Sequence, residues 1–156
     1  MLNSKDFQLI VYDFDGVMTD NKVYVDQNGN EMVQVNRADG LGVSEIKKLG
    51  IDQLIISTEK NSVVSKRAKK LGIPSYFGID DKKSLLLEYC NKNSIDIEKI
   101  IYIGNDINDK EAMEIVGFKM CPSDANQEIK KIADHILKSK GGMGVIRELL
   151  DYLNNK

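Results

Sequence analysis

Three acids crowd into one short stretch, Val11-Tyr12-Asp13-Phe14-Asp15-Gly16-Val17-Met18-Thr19-Asp20, and far along the chain a second acidic loop reads Gly104-Asn105-Asp106-Ile107-Asn108-Asp109. Asp13 and Asp15 stand two residues apart, so in extended chain their side chains share one side. Two carboxylates so close do not both ionise comfortably without a cation. The pair therefore implies a hard divalent metal, a raised pKa, or both. Between the two loops lie a hydroxyl at Ser57 and an ammonium at Lys82. These are the parts that phosphoryl transfer needs. The acids hold Mg²⁺ and supply a nucleophile, while hydroxyl and ammonium grip the equatorial oxygens on which transition-state charge resides.

Such residues must be held by elements that bring them together. Leu9-Ile10-Val11-Tyr12 is an unbroken apolar tetrad, as in buried strands, so the first acids emerge at a strand's C-terminal end, where open α/β sheets hold ligands. Lys22-Val23-Tyr24-Val25 and Met32-Val33-Gln34-Val35 flank Asp26-Gln27-Asn28-Gly29-Asn30 and read as a hairpin, which must pack on something. A helix is expected from Gly40 to Leu49, a strand over Gln53-Leu54-Ile55-Ile56, and a helix from Asn61 or Ser62 through Leu71. A short strand over Pro74-Ser75-Tyr76-Phe77-Gly78 and a helix opened by Asp81-Lys82-Lys83 follow. Ile100-Ile101-Tyr102-Ile103 is the clearest strand, and its acidic loop leads to a helix bearing Ala112, Met113 and Val116. Further short strands are expected at Phe118-Lys119-Met120-Cys121 and Asp134-His135-Ile136-Leu137, with a helical turn from Gln127 to Ile132 between them. Gly141-Gly142-Met143-Gly144 breaks into a last helix from Val145 to Leu153. Strands alternating with helices predict an α/β fold, a doubly wound, mainly parallel sheet with right-handed crossovers, in one domain over 1–156 with a hairpin insertion at 22–35. Parallel strands end on one edge, so Asp13, Asp15, Ser57, Thr58, Lys82, Asn105, Asp106 and Asp109 converge there.

Composition narrows the alternatives. With 22 basic and 24 acidic residues the net charge is −2, which gives no general attraction to nucleic acid or anionic membrane. Lys60, Lys66, Arg67, Lys69 and Lys70 form a basic run with no aromatic platform among them, which reads as a solvated helix face rather than a nucleic-acid surface. No run approaches the roughly 20 apolar residues of a membrane span. Cys90 and Cys121 are the only cysteines and read as buried thiols of a reducing compartment, so the expected location is the cytoplasm. His135 is the sole histidine, which removes Ser-His and Cys-His catalysis unless that one residue serves; it reads as a packing residue. Taken singly, the acidic loop also fits a chance Asp-x-Asp, a nucleotide-sugar transferase or a phospho-accepting receiver domain, Lys82 a surface lysine at a helix start, and Ser57 a turn former. Their order along the chain favours the joint reading.

In that order the chain resembles the haloacid-dehalogenase-type phosphatases, whose four motifs match Asp13-Phe14-Asp15-Gly16, Ser57, Lys82 and Gly104-Asn105-Asp106 through Asp109. More narrowly it is similar to the small branch without a large cap domain that dephosphorylates 3-deoxy-2-ulosonic acid phosphates. The supporting residues are Asp15-Gly16-Val17-Met18-Thr19-Asp20, Arg37-Ala38-Asp39-Gly40-Leu41-Gly42, Arg67-Ala68-Lys69-Lys70-Leu71-Gly72 and Gly141-Gly142-Met143-Gly144-Val145-Ile146-Arg147-Glu148. The resemblance implies that Asp13 attacks phosphorus to form an aspartyl phosphate and that Asp15 protonates the leaving alkoxide and then activates water. It implies Mg²⁺ held by the Asp13 carboxylate, the Asp15 backbone carbonyl and the motif-four residues Asn105, Asp106 and Asp109. A homotetramer is implied too, in which hairpins pack beside the sites as a cap does elsewhere.

One departure bears on activity. Most of these enzymes have Gly-Asp-Asp where this chain has Gly104-Asn105-Asp106, and an Asn oxygen is a poorer Mg²⁺ ligand than a carboxylate. The C-terminal domain of animal CMP-sialate synthetases is similar here, which raises a second expectation: a catalytically weakened domain that serves assembly. For an active enzyme the expected substrate is a sugar-acid phosphate. Ser57-Thr58-Glu59-Lys60 resembles the nononate 9-phosphate phosphatases more than the octulosonate 8-phosphate enzymes, which have Thr-Gly-Arg. Thr58 and Glu59 are expected to meet the sugar, and Arg67 and Lys70, three apart on one helix face, its carboxylate.

Overall fold

A computed structural model of the chain describes residues 2–154. In chain order the elements are β1 (Leu9–Tyr12), the hairpin strands β2 (Tyr24–Val25) and β3 (Glu31–Met32), α1 (Arg37–Lys48), β4 (Asp52–Ile56), α2 (Val63–Leu71), β5 (Ser75–Tyr76) and α3 (Lys82–Asn93). There follow β6 (Ile100–Ile103), α4 (Lys110–Glu114), β7 (Phe118–Cys121), α5 (Gln127–Ile132), β8 (His135–Ile136) and α6 (Val145–Asn154). Six strands form one sheet in the order β5-β4-β1-β6-β7-β8, with every neighbouring pair parallel. Tyr12 is in register with Ile55 on one side and Ile103 on the other, so the chain leaves β1, β4 and β6 at nearly one level.

The central strands β1 and β6 are buried at every residue because both faces of the sheet are covered there. Ile10 and Tyr12 point into a cluster with Val43 and Ile46 of α1, Val64 of α2 and Leu149 of α6. Leu9 and Val11 point the other way, to Leu86 of α3, Met113 of α4 and Ile129 of α5. Strand order reverses at β1, whose two neighbours lead away in opposite directions. The crevice at such a switch point, outside the strands' carboxyl ends, is where ligands bind in doubly wound sheets.

Three expectations are adjusted in detail. α1 starts at Arg37 rather than Gly40, because the Asn36 side chain accepts from the Ala38 N–H and caps a first turn whose polar residues carry no apolar periodicity. The hairpin forms within 22–35, but its paired strands are two residues each, and the second, Glu31–Met32, shares only Met32 with the expected run Met32-Val33-Gln34-Val35. Val23, Tyr24, Val25 and Met32 are exposed, whereas Val33 and Val35 touch the core. The strands around Tyr76 and His135 are likewise reduced to two residues. His135 packs its ring on Tyr152, centroids 4.4 Å apart, and Cys90 and Cys121 are buried, unpaired thiols. No helix among the described residues is long and apolar enough to cross a membrane.

Asp39 ties α1 to α6. Its Oδ1 accepts from the backbone N–H groups of Ile146 (3.0 Å) and Arg147 (3.3 Å), capping α6 from outside that helix, while its buried Oδ2 has no partner among the described residues. Burial pushes its pKa up to about 6, against the lowering by those two N–H groups and by Arg67. A carboxyl whose folded pKa is raised takes up a proton on folding, so its stabilising contribution is full below the ordinary value near 4. That contribution is lost as pH rises through 6. Between pH 4 and pH 7 the wild type should therefore lose about 2 kcal/mol of stability relative to Asp39→Asn, whose carbonyl keeps both N–H contacts without titrating. Urea unfolding of both proteins at the two pH values checks this; an unchanged difference in stability would show that Asp39 does not titrate in that window.

Candidate active site

Asp13 and Asp15 follow β1 directly. The Phe14 carbonyl accepts from the N–H groups of Val17, Met18 and Thr19, which curls the chain into a tight turn. Gly16 makes that turn possible: its φ is +80°, and a Cβ there would lie 1.8 Å from the Asn105 side-chain nitrogen. Thr19, wholly buried, orders the loop by donating its hydroxyl to Asp15 Oδ1 (3.2 Å) and accepting from the N–H groups of Gly16 (3.3 Å) and Asn21 (3.1 Å). From the far end of the chain, Gly141 packs so closely on the loop that a Cβ would come within 2.2 Å of the Gly16 carbonyl oxygen, and the Gly142 N–H donates to Val17.

A cavity of about 220 Å³ opens at the carboxyl ends of β1, β4 and β6, lined by Asp13, Asp15, Asn21, Ser57, Thr58, Glu59, Asn105, Asp106 and Asn108. A larger hollow of about 680 Å³ lies elsewhere, between the start of α1, β8 and α6, and does not include the acidic loops. Ser57, at the end of β4, accepts from the Glu59 N–H through its Oγ, and its own proton is free to donate into the cavity. Thr58 is joined across the mouth to the second acidic loop, its Oγ1 accepting from Asn108 Nδ2 at 2.5 Å.

Behind the cavity the Lys82 ammonium, in the first turn of α3, sits 2.9 Å from Asp13 Oδ1 and 2.7 Å from Asp109 Oδ1. All three side chains are buried. Burial would pull the Lys82 pKa down, but the charges of Asp13 and Asp109 outweigh it and hold the pKa above the ordinary value. One ammonium does not neutralise two carboxylates. Burial first, and then the Asp109 charge, holds Asp13 well above the usual carboxylate range despite Lys82 and the Phe14 N–H at 2.7 Å. Burial also raises Asp15, against the Thr19 hydroxyl.

Of the residues singled out in the sequence, Asp13, Asp15, Ser57, Thr58, Glu59, Asn105 and Asp106 line one cavity, and Lys82 and Asp109 stand directly behind it. Asp109 is wholly buried with both oxygens engaged. Oδ1 accepts from Lys82 and from the Tyr102 hydroxyl (3.0 Å), and Oδ2 accepts from the backbone N–H groups of Asn105 (2.9 Å) and Asp106 (3.3 Å). Arg67 and Lys70 do not line the cavity; the Arg67 guanidinium donates to the Asn36 carbonyl at 3.2 Å, and Lys70 is exposed on α2. Thr19, Tyr102 and Asn108 join the site without standing out in the sequence. Thr19 and Asn108 lie within the two acidic loops, and the signal for Tyr102 is that a tyrosine in a buried strand carries a hydroxyl that must find a partner.

The profile of the haloacid dehalogenase-like hydrolases matches residues 78–149. The 3-deoxy-D-manno-octulosonate 8-phosphate phosphatase KdsC of Escherichia coli (strain K12) is 32% identical over 151 residues, covering 96% of this chain and 80% of that protein. Among solved structures, a chain described as a HAD family hydrolase from Streptomyces avermitilis MA-4680 superposes with a TM-score of 0.95 at 38% identity, over 98% of this chain and 88% of that one. The 3-deoxy-D-manno-octulosonate 8-phosphate phosphatase of Moraxella catarrhalis, solved with magnesium ion, phosphate ion and KDO, superposes with a TM-score of 0.92 at 30% identity, over 96% and 87%. Two aspartates after the first strand, a buried lysine behind them and relatives matched over nearly the whole chain leave one assignment: the protein belongs to the haloacid dehalogenase-like hydrolases, in the branch that includes the octulosonate phosphate phosphatases.

Proposed function

We propose that the chain is a metal-dependent phosphomonoesterase acting on a 3-deoxy-2-ulosonic acid phosphate, with Asp13 as nucleophile. The observation that carries this reading is the convergence of Asp13, Asp15, Ser57 and Asn105 on one small polar cavity, with Lys82 against Asp13. Asp13 Oδ1 is held by Lys82 and the Phe14 N–H, while its Oδ2 takes no hydrogen bond from any described residue and is the oxygen available for attack. Attack forms the aspartyl phosphate and expels the sugar alkoxide, which Asp15, with its raised pKa, protonates. The Asp15 carboxylate then takes a proton from the water that hydrolyses the acyl phosphate. Ser57 donates its hydroxyl to a phosphate oxygen throughout.

A divalent cation fits this donor set. Asn105 Oδ1 is buried with no partner among the described residues, and the acids around it carry more negative charge than Lys82 neutralises. Among the described residues no three His, Cys, Asp or Glu side chains group as a metal cage, so the donors are mixed: the Asp13 carboxylate, the Asp15 carbonyl, Asn105 Oδ1 and, beside it, Asp106. Asp109, with both oxygens engaged, acts from behind this set as a support. When bound, Mg²⁺ would supply the positive charge that lets an anionic nucleophile meet an anionic phosphate. The Moraxella relative is described with magnesium, which supports the choice of metal. The buried free thiols support a reducing, cytoplasmic setting.

Within the substrate class, the curated relatives' names support the octulosonate 8-phosphate. Glu59 supports a nononate 9-phosphate, because it lines the cavity mouth and presents an acceptor to sugar hydroxyls or an ammonium. We favour the nononate on that residue. Arg67 and Lys70 reach no part of the cavity in their own chain, so a role for them in holding the sugar carboxylate requires a second subunit. The exposed hairpin residues Tyr24, Val25 and Met32 support such an assembly, as a homotetramer.

Asp13→Asn should keep the fold and reduce phosphate release to background, since an amide forms no acyl phosphate; a folded variant retaining more than about one hundredth of wild-type kcat would remove Asp13 from the nucleophile role. Comparing kcat/KM for the two sugar phosphates with Mg²⁺ should show the nononate preferred. A tenfold octulosonate preference, about 1.4 kcal/mol of transition-state discrimination, would reverse the choice, and a wild-type chain inert on both would favour an assembly role instead. Sedimentation at micromolar concentration should give a tetramer, and a monomer there would remove the hairpin assembly.

A further inference from the structure

We propose that Tyr102 is a positioning residue for the phosphoryl-transfer step: its hydroxyl, acting through Asp109, sets where Lys82 stands against Asp13. The inference rests on the reading of Asp13 as nucleophile and adds a residue one layer behind the cavity.

Tyr102 is wholly buried in the middle of β6, on the face that packs against α3 and α4. Apolar packing alone would be satisfied there by phenylalanine, and a buried hydroxyl is tolerated only where it is hydrogen-bonded. The single proton of this hydroxyl goes to Asp109 Oδ1 at 3.0 Å. The same oxygen accepts from Lys82 at 2.7 Å, and Lys82 also donates to Asp13 at 2.9 Å. Tyrosine and lysine thus share one acceptor, and that acceptor competes with the nucleophile for the ammonium. Burial and the Asp109 charge hold the phenol well above its ordinary pKa, so it stays a neutral donor at any working pH.

The direction of the effect follows from the geometry. With the hydroxyl in place, part of the charge on Asp109 Oδ1 is already satisfied, and Lys82 divides its hold between the two carboxylates. Without it, Asp109 is a buried carboxylate short of one donor, and the nearest mobile donor is the Lys82 ammonium. The ammonium then moves toward Asp109 and away from Asp13, and the nucleophile loses its cation as a phosphate dianion approaches. Substrate grip depends on residues that Tyr102 does not touch, among them Ser57 and Glu59.

Tyr102→Phe is the test, in the full chain with Mg²⁺. The expected result is a tenfold fall in kcat with KM within twofold of wild type, together with a displaced Lys82 ammonium resonance in the ¹H–¹⁵N spectrum. A purely structural tyrosine would leave that resonance in place. The proposal is overturned by a folded variant with kcat within twofold of wild type, by an unmoved Lys82 resonance, by a loss confined to KM, or by a variant that fails to fold. A wild-type chain inert on every phosphate ester would overturn the phosphatase reading instead, and the Lys82 resonance would still decide whether the tyrosine positions the lysine.

Discussion

The Lys82 ammonium is buried between Asp13 and Asp109, 2.9 Å from one carboxylate and 2.7 Å from the other, and taking charges out of water in this way costs several kcal/mol per ion unless each is paired and hydrogen-bonded. Much of the surrounding structure meets that demand. Lys82 stands in the first turn of α3, where the helix dipole disfavours a cation, so the two acids must offset the helix end as well as the burial. Asp109 is satisfied by a tyrosine from the middle of β6 and by two backbone N–H groups from the loop that follows it. Asp13 receives its own N–H from Phe14 because the chain turns at Gly16. A parallel sheet with β1 beside β6 is what allows one lysine to reach acids from both loops.

The fold was legible because its signals are local and repeated. Four-residue apolar runs such as Leu9–Tyr12 and Ile100–Ile103 can be buried on both faces only in a covered parallel sheet, and the glycines at 50 and 72 end their helices as read. Elements whose limits depend on capping or edge pairing were less legible. The first turn of α1 is polar, and only the Asn36 cap and the Asp39 link to α6 explain why it is helical. Hairpin length is set by twist and by whatever covers the ribbon, so a β-branched run at Lys22–Val25 overstates the pairing that forms.

The site was legible in residue types and less so in directions. Spacing placed two acid clusters, a hydroxyl and a lysine on one sheet edge, and seven of the named residues do line one cavity. Spacing does not say where a side chain's lone pairs are used. Asp109 looks equivalent to its neighbours in sequence, yet its oxygens are taken by Lys82, Tyr102 and two backbone groups. Arg67 and Lys70 share a helix face as expected, but α2 leads away from the cavity, and the guanidinium meets the end of the segment before α1. Charge on a helix is easy to read; the direction that helix takes from the sheet is a tertiary fact.

The contact of Gly141 and Gly142 with the turn at Gly16 to Thr19 joins residues almost the full length of the chain apart. On the ribosome the catalytic loop is made well before β6, which pairs with β1, and the glycines that buttress the loop are made later still. The nascent chain therefore passes through a long interval in which Asp13 and Asp15 are exposed without Lys82, Asn105 or the glycine buttress. Contacts so distant in sequence are also the ones that form late and slow folding. A chain made only as far as β5 thus carries the acidic motif without its chemistry, and the loop is completed only once Gly141 and Gly142 have been made.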